Sequence, residues 1–352
     1  MKLAGDGLLV AGGYGAVGVI VSRTLADLFP GRVVPAGRDL TRARGVAAET
    51  GSAGAARVDV AGDVGEFEDV LARHRIGVVV LCVEPPDDRI ARACLTRGVH
   101  LVDVGASHHL LAQVELLHGP AAAAGVRVAL SVGVAPGMTN LLARRAHHAV
   151  GGADRVDLTV LLGAGERHGA DAVRWTIARL ADPAARARPA RVPLPGHRIR
   201  TAHPFPFSDQ YSLRRTLGVP DVTTRLCLDS RALTAALFGL RRVGAFRTAR
   251  HPGVRRALTA ALTRVHLGGD GWAVRADARV GDAHAAYALT GKAQSRATAL
   301  VAAQVTRRLI AGAIPAGVHH IDELPALASL PEDLSEHGVH LWTPDILDTE
   351  RP

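Results

Sequence analysis

Residues 8–18 read Leu8-Leu9-Val10-Ala11-Gly12-Gly13-Tyr14-Gly15-Ala16-Val17-Gly18, an apolar run that ends in a glycine cluster. Gly13-x-Gly15-x-x-Gly18 is a complete G-x-G-x-x-G directly after a strand-like segment. Val17, Ile20, Val21, Thr24, Leu25 and Leu28 then recur at helical spacing. In such a strand–turn–helix the first glycine permits the tight turn. The second lets main chain approach a pyrophosphate, and the third lets helix pack on strand. The helix start offers its unpaired N–H groups to the phosphates. Gly12, Gly13, Tyr14, Gly15, Ala16, Val17 and Gly18 are therefore the candidate dinucleotide loop.

A second strand should end beside the adenosine ribose about twenty residues further on. Arg32-Val33-Val34-Pro35-Ala36-Gly37-Arg38 fits, and it ends on arginine where a carboxylate would hold a ribose 2′-OH. A guanidinium forks onto phosphate and stacks on adenine. Gly37 and Arg38 thus favour NADP, while Asp39 and a loop carbonyl keep NAD open as the alternative.

Two domains of ordinary size fit in 352 residues, and 48% hydrophobic content is enough to fill their cores. Aromatics are only 3%, so those cores are built of Ala, Val and Leu. The net charge of +9 would suit a nucleic-acid or membrane partner. The arginines are scattered, however, with no basic run interleaved with aromatics, so neither partner is expected. Cys82, Cys94 and Cys227 form no C-x-x-C pair and read as reduced thiols of a cytoplasmic protein. The first apolar stretch runs straight into the glycine loop without a cleavage site, and no run reaches membrane-spanning length.

Up to about Leu130, strands ending near Val10, Pro35, Val60, Val83, Val104 and Leu130 alternate with helical segments such as 42–50, 64–74 and 89–98. That alternation predicts a Rossmann-type doubly wound parallel sheet. Gly77–Val83 is continuously apolar, as a central parallel strand should be. Beyond about Gly151, 155–163 reads as a strand and 170–180 as a helix. The Pro- and Arg-rich stretch 186–207 reads as irregular loop. Trp272–Val280 alternates, with Arg275, Asp277 and Arg279 on one side, and turns at Gly281-Asp282 into 283–290. This predicts a second, α+β domain with an antiparallel sheet and one wet face. Residues 292–311 read as one amphipathic helix and the last forty as a surface tail. The expected domains are 1–150 for the dinucleotide, 151–290 for substrate and dimerisation, and 291–352 for the returning helix and tail.

In open α/β sheets ligands bind outside the carboxyl ends of the strands, at the switch point. Asp59 follows the third strand and could accept from an adenine amino group or simply hold a turn. Val83-Glu84-Pro85-Pro86 follows the fourth and should pass the cofactor's ribose. Val132-Gly133-Val134-Ala135-Pro136-Gly137 follows the sixth, and Pro136 and Gly137 would shape main chain for close approach to a flat ring.

With Ala36-Gly37-Arg38, Val102-Asp103-Val104 and Gly133-Val134-Ala135-Pro136-Gly137-Met138-Thr139-Asn140, the glycine motif resembles the saccharopine dehydrogenase (reductase-type, NADP-binding domain) family. The helix Gly291-x-x-Gln294-x-x-x-Thr298-Ala299-x-x-x-Ala303 is similar to that family's C-terminal segment. The likeness covers the first 140 residues and roughly 270 to 320. It implies an NAD(P)-dependent oxidoreductase, often a homodimer, with a second domain closing over the first. The implied chemistry joins an amine to an aldehyde and reduces the imine, or runs the reverse oxidation. Cys82-Val83-Glu84-Pro85-Pro86 departs from the Asn-Cys/Ala-Gly-Pro type of turn common in the family, on the side facing the substrate.

The middle segment then carries specificity. Glu166 or Asp209 could hold a substrate ammonium, and Arg225 or Arg214 could clamp a carboxylate. Trp175 and Phe207 supply aromatic surface beside polar groups, as a cleft for a small molecule requires. His168, Asp209 and Tyr211 are the candidate catalytic residues, with His168 or Tyr211 passing a proton to nitrogen as hydride arrives. The spacing of Tyr287 and Lys292 misses Tyr-x-x-x-Lys. The adjacent histidine pairs at 108–109, 147–148 and 319–320 are not at i, i+4, so no metal is expected. Two rivals use the same first domain: a trans-acting enoyl reductase working on C=C, and a non-catalytic NADP-binding redox sensor.

Overall fold

A computed structural model describes residues 5–166, 169–182, 187–262 and 268–349. The elements of the first half are β1 Gly7–Ala11, α1 Gly18–Leu28, β2 Val33–Gly37, α2 Leu40–Thr50, β3 Ala56–Arg57, α3 Val64–Arg73, β4 Ile76–Leu81, α4 Arg89–Thr96, β5 His100–Asp103, α5 His108–Glu115, α6 His118–Ala123 and β6 Arg127–Leu130. Then come α7 Thr139–Ala149, β7 Arg155–Leu162, α8 Ala170–Ala181, β8 Ala190–Leu194, β9 Arg198–Pro204, α9 Asp209–Thr216, β10 Asp221–Leu228, α10 Arg231–Arg242, α11 Pro252–Leu262, β11 Gly271–Val280, β12 Ala283–Lys292, α12 Gln294–Ile310, β13 Gly317–His320 and β14 His340–Trp342. The chain forms two compact units, 1–133 with 298–330, and 134–297 with 331–352.

The first unit is built on a sheet of order β13-β6-β5-β4-β1-β2-β3, all neighbours parallel. The order reverses between β1 and β4, which is the switch point. β1 and β4 are buried along their whole length because helices cover both faces. Leu9, Val79, Leu101 and Phe67 belong to one buried cluster there. Asp39 starts α2 by accepting from the N–H groups of Thr41 and Arg42, and Asp63 starts α3 from Gly65.

The second unit carries a mixed sheet of order β14-β12-β11-β7-β10-β9-β8, in which β7 and β10 are parallel and the other neighbours antiparallel. α7 packs on β11 and β12. Three expectations are corrected here. The stretch expected as irregular loop forms the β8–β9 hairpin. Pro193 is tolerated because β8 is an edge strand, and Gly196 makes the turn at φ +70°. The face of β11 expected to be wet is exposed only at Arg279. Arg275 and Asp277 are 7% and 8% exposed, and β8 folds against that face, its Pro193 carbonyl accepting from Arg275 at 3.1 Å. Nor do the last forty residues form a surface tail. They supply β13 to one sheet and β14 to the other, and Leu324, Leu327, Leu330 and Leu334 are buried. Among the described residues no helix is long and apolar enough to cross a membrane.

Asp277 is held by a bidentate fork from Arg275 at 2.8 and 2.7 Å and by His284 Nε2 at 2.9 Å. Burial alone would raise its pKa. The Arg275 hydrogen bond, then His284, outweigh that and hold it below the ordinary carboxylate range. Asp277→Ala leaves the Arg275 guanidinium buried without its partner and should cost about 3–5 kcal/mol. Arg23→Ala, which removes the exposed pair with Glu49, should cost under about 1 kcal/mol. Urea unfolding of the two variants checks the contrast.

Candidate functional site

The loop from β1 to α1 is a close contact of main chain with main chain. A Cβ on Gly18 would lie 2.1 Å from the carbonyl oxygen of Gly12, and one on Gly13 would lie 2.8 Å from that of Val10. Gly12 adopts φ +79°, and Gly15 N–H closes the turn on the Gly12 carbonyl at 2.8 Å. The buried Ser22 hydroxyl donates to the Gly13 carbonyl at 3.2 Å. No side chain caps α1 and no acidic residue stands in its first turn. The N–H groups of Ala16, Val17 and Gly18 have no acceptor among the described residues. The result is a row of main-chain donors at the positive end of a helix dipole, which suits a diphosphate.

Tyr14 reaches from this loop to the end of β2. Its ring occupies the space above Gly37, where a Cβ would lie 2.5 Å from Cε1. Its hydroxyl accepts from Asp39 N–H at 2.9 Å. The Arg42 guanidinium lies 4.5 Å from the ring centroid. Arg38 is exposed and makes no hydrogen bond or ion pair among the described residues. Asp39 is occupied in capping α2, which leaves it poorly placed to hold a ribose hydroxyl. Two guanidinium groups and a phenol at the end of β2 fit a 2′-phosphate better than a bare diol. Asp59 lies in an exposed turn, its carboxylate accepting from Ala61 N–H. Val83 packs against Gly12, and Glu84 accepts from Ser107 Oγ at 2.5 Å, tying the β4 loop to the β5 loop.

Sequence reading overlooked a buried polar group at the same sheet edge. Burial pushes the pKa of Asp103, at the end of β5, up to about 6; Gly105 N–H opposes the rise and Glu84 adds to it. Burial, with Asp103 second, pushes the neighbouring Cys82 thiol up to about 12. His320 at the end of β13 bonds Ser131 Oγ at 2.7 Å through Nδ1 and Glu115 at 2.5 Å through Nε2. The only signal for it was the His319-His320 pair, and its partners lie about 190 and 205 residues away.

In the second unit the 134–138 turn contains a cis Ala135–Pro136 bond and Gly137 at φ +133°. Gly137 N–H donates to Asn140 Oδ1 at 3.0 Å, and Asn140 Nδ2 donates to Ser212 Oγ at 3.1 Å. Thr224 Oγ1 donates to Asp209 Oδ1 at 2.5 Å. Asp209 is fully buried, and that burial pushes its pKa up to about 6 against the hydrogen bond of Thr224. It is therefore a framework carboxyl out of reach of a substrate ammonium, whereas Tyr211 two residues on is 38% exposed. Trp175, Phe205 and Phe207 form one aromatic cluster with centroids 4.9 to 5.7 Å apart.

Three charged candidates are already engaged. Glu166 accepts from the N–H groups of Gln294 and Ser295, both at 2.7 Å, and so starts α12. Arg225 pairs with Asp157 at 2.6 Å and donates to the Arg188 carbonyl. Arg214 donates to the Val222 carbonyl. His168 lies outside the described residues.

Residues 8–128 match the family model described as saccharopine dehydrogenase NADP binding domain. Among solved structures, the chain is similar to apo saccharopine dehydrogenase (L-Glu forming) from Saccharomyces cerevisiae. That match has 15% identity and a TM-score of 0.64, and it covers 96% of this chain and 100% of that one. It is also similar, at 18% identity and TM-score 0.47, to C. glutamicum DAP dehydrogenase in complex with DAP, over 94% and 98% of the two chains. GenD2 from gentamicin A biosynthesis, in complex with NAD, matches at 13% identity and TM-score 0.44 over 97% and 98%. The chain has an NADP-binding Rossmann unit and the fold of a saccharopine dehydrogenase-like oxidoreductase.

A folded-state pKa raised to about 6 means that folded Asp209 binds its proton more tightly than the unfolded chain does. The stability it contributes is complete below the unfolded carboxyl pKa of about 3.9 and is lost as pH rises through the folded value. Asp209→Asn keeps an acceptor for Thr224 and removes this titration. The variant's Tm should gain on the wild type between about pH 4 and pH 6 and level off above. A Tm difference constant over that range would show that Asp209 titrates normally.

Proposed function

We propose that this chain, whose residues 8–128 belong to the saccharopine dehydrogenase NADP-binding domain family, is an NADP-dependent oxidoreductase that moves hydride to or from the C=N bond of a small, amino-acid-like substrate. The observation that carries the reading is the row of open N–H groups at Ala16, Val17 and Gly18 beside an unpaired Arg38. When bound, the nicotinamide cofactor supplies or accepts the hydride. The protein holds the diphosphate on those amides and the 2′-phosphate on the Arg38 guanidinium, with Tyr14 and Arg42 bracing the end of β2. Asp59, Val83 and Glu84 shape the rim of the same strand ends.

For the proton that accompanies hydride we assign Tyr211, supported by the exposure of its phenol and the fixed position of α9. Asp209 positions that helix from beneath through Thr224. The Trp175–Phe207 surface takes the apolar part of the substrate. Glu166 and Arg225 act as positioning residues for α12 and β10. His168 stays a second proton-donor candidate. Two of the three unpaired cysteines are buried, in keeping with a cytoplasmic protein, and we take the working form to be a homodimer.

Fluorescence titration with NADPH and NADH tests the cofactor site. Arg38→Ala should weaken NADPH at least about tenfold, the loss of one charged hydrogen bond, and leave NADH nearly unchanged. NADPH turnover with amine–aldehyde pairs then tests the reaction, and Tyr211→Phe should lower kcat by about a hundredfold. Consumption of NADPH with enoyl thioesters but not imines would replace this reading with the C=C reductase. Tight NADPH binding without turnover on either class would replace it with the sensor.

A further inference from the structure

The second unit holds a cavity of about 910 Å³ that the proposed hydride transfer does not use. β9 forms one wall and α10 another, and residues 244–247 close the end. Its charge is one-sided. Arg191, Arg200, Arg231, Arg241, Arg242 and Arg247 line it, and Asp182 is the only acid among the described lining residues. None of the six arginines has a described carboxylate within ion-pair distance. The rest of the wall is apolar or flat, including Phe238 with the His203 ring stacked on it at 4.3 Å.

The decisive group is Arg241. Its Nη1 donates to the Pro204 carbonyl at 2.7 Å, which fixes the plane of the guanidinium. Its Nε and Nη2 are buried and have no partner among the described residues. These two nitrogens form the side-on edge of the guanidinium, whose N–H bonds run parallel and match the two oxygens of a carboxylate or phosphate. Arg200 Nε in the same wall is likewise buried and unpartnered. An empty fork of this kind costs the desolvation of its donors and is stabilised when an acceptor arrives. Burial lowers the pKa of Arg241, with Asp182 opposing, and of His203, with Arg241 second. His203 is thus a neutral ring that adds surface and no charge.

We propose that this cavity is a binding site for a small organic anion, whose carboxylate or phosphate is gripped side-on by Arg241 with Arg200 as second donor, and whose body lies on Phe238 and His203. Its volume is that of an ordinary small-molecule site. The proposal does not rest on the hydride-transfer reading, since its residues are separate from those at the glycine loop.

Calorimetric titration of the full chain with benzoate, phenyl phosphate and the neutral benzyl alcohol tests it. One equivalent of benzoate or phenyl phosphate should bind, whichever is tighter naming the anion, and benzyl alcohol should not. Arg241→Gln should weaken that anion at least about tenfold, and Arg241→Lys, which keeps charge but loses the fork, should also weaken it. Without anion, Arg241→Gln should melt no lower than wild type, because it removes buried unpaired donors. Unchanged NADPH binding by each variant certifies that the chain is folded and keeps this test independent of the cofactor site. Equal anion affinity in wild type and Arg241→Gln, or no saturable binding of either anion, would overturn the proposal.

Discussion

The first unit depends on one close approach, the start of α1 against the carbonyl of Gly12. With 2.1 Å between that oxygen and where a Cβ of residue 18 would sit, only glycine lets the helix lie so near the strand. This contact aims the helix end, and with it the free N–H groups, past the edge of the sheet at the switch point. Tyr14 then spans from this loop to β2, and Gly37 is bare because the tyrosine ring lies over it. The diphosphate and 2′-phosphate positions proposed above would thereby be set at a fixed spacing by main chain, with few side chains to move.

Buried carboxyls are treated in two ways. In the mixed sheet, Asp277 is kept ionised by the Arg275 fork, and Asp157 is paired with Arg225. Asp103 and Asp209 instead meet only hydroxyl and N–H donors, which cannot offset their desolvation, so both hold protons to higher pH. Paired ions lock a sheet. A carboxyl that keeps its proton up to about pH 6 can donate as well as accept below that pH, and both examples stand beside loops at strand or helix ends.

What could be read from the sequence was what depends on near neighbours. Gly13, Gly15 and Gly18 lie within one turn, and the parallel strands up to Leu130 announce themselves by unbroken apolar runs. The position of Arg38, just past the end of β2, was legible because a strand end fixes it. The rest depends on partners far along the chain. Glu166 reads as a free carboxylate until Gln294, 128 residues later, is known to start a helix on it. Arg225 reads as a clamp until Asp157 is found 68 residues before it. Alternation in β11 suggested a wet face because the covering strand β8 hides behind Pro193 and Pro195. In each case a polar side chain was judged by its type, while its long-range partner decided its role.

β13 and β14 both come from the last thirty-six residues, yet each completes a different sheet. Gly317 pairs with Arg127 across 190 positions. During synthesis, β6 must therefore wait with an unpaired edge until residues 317–320 have left the ribosome, and β12 until residues 340–342 have. Edges of that kind attract other chains. A stop codon or a nick near residue 315 would expose both at once, and the shortened product should aggregate instead of persisting as a folded remnant.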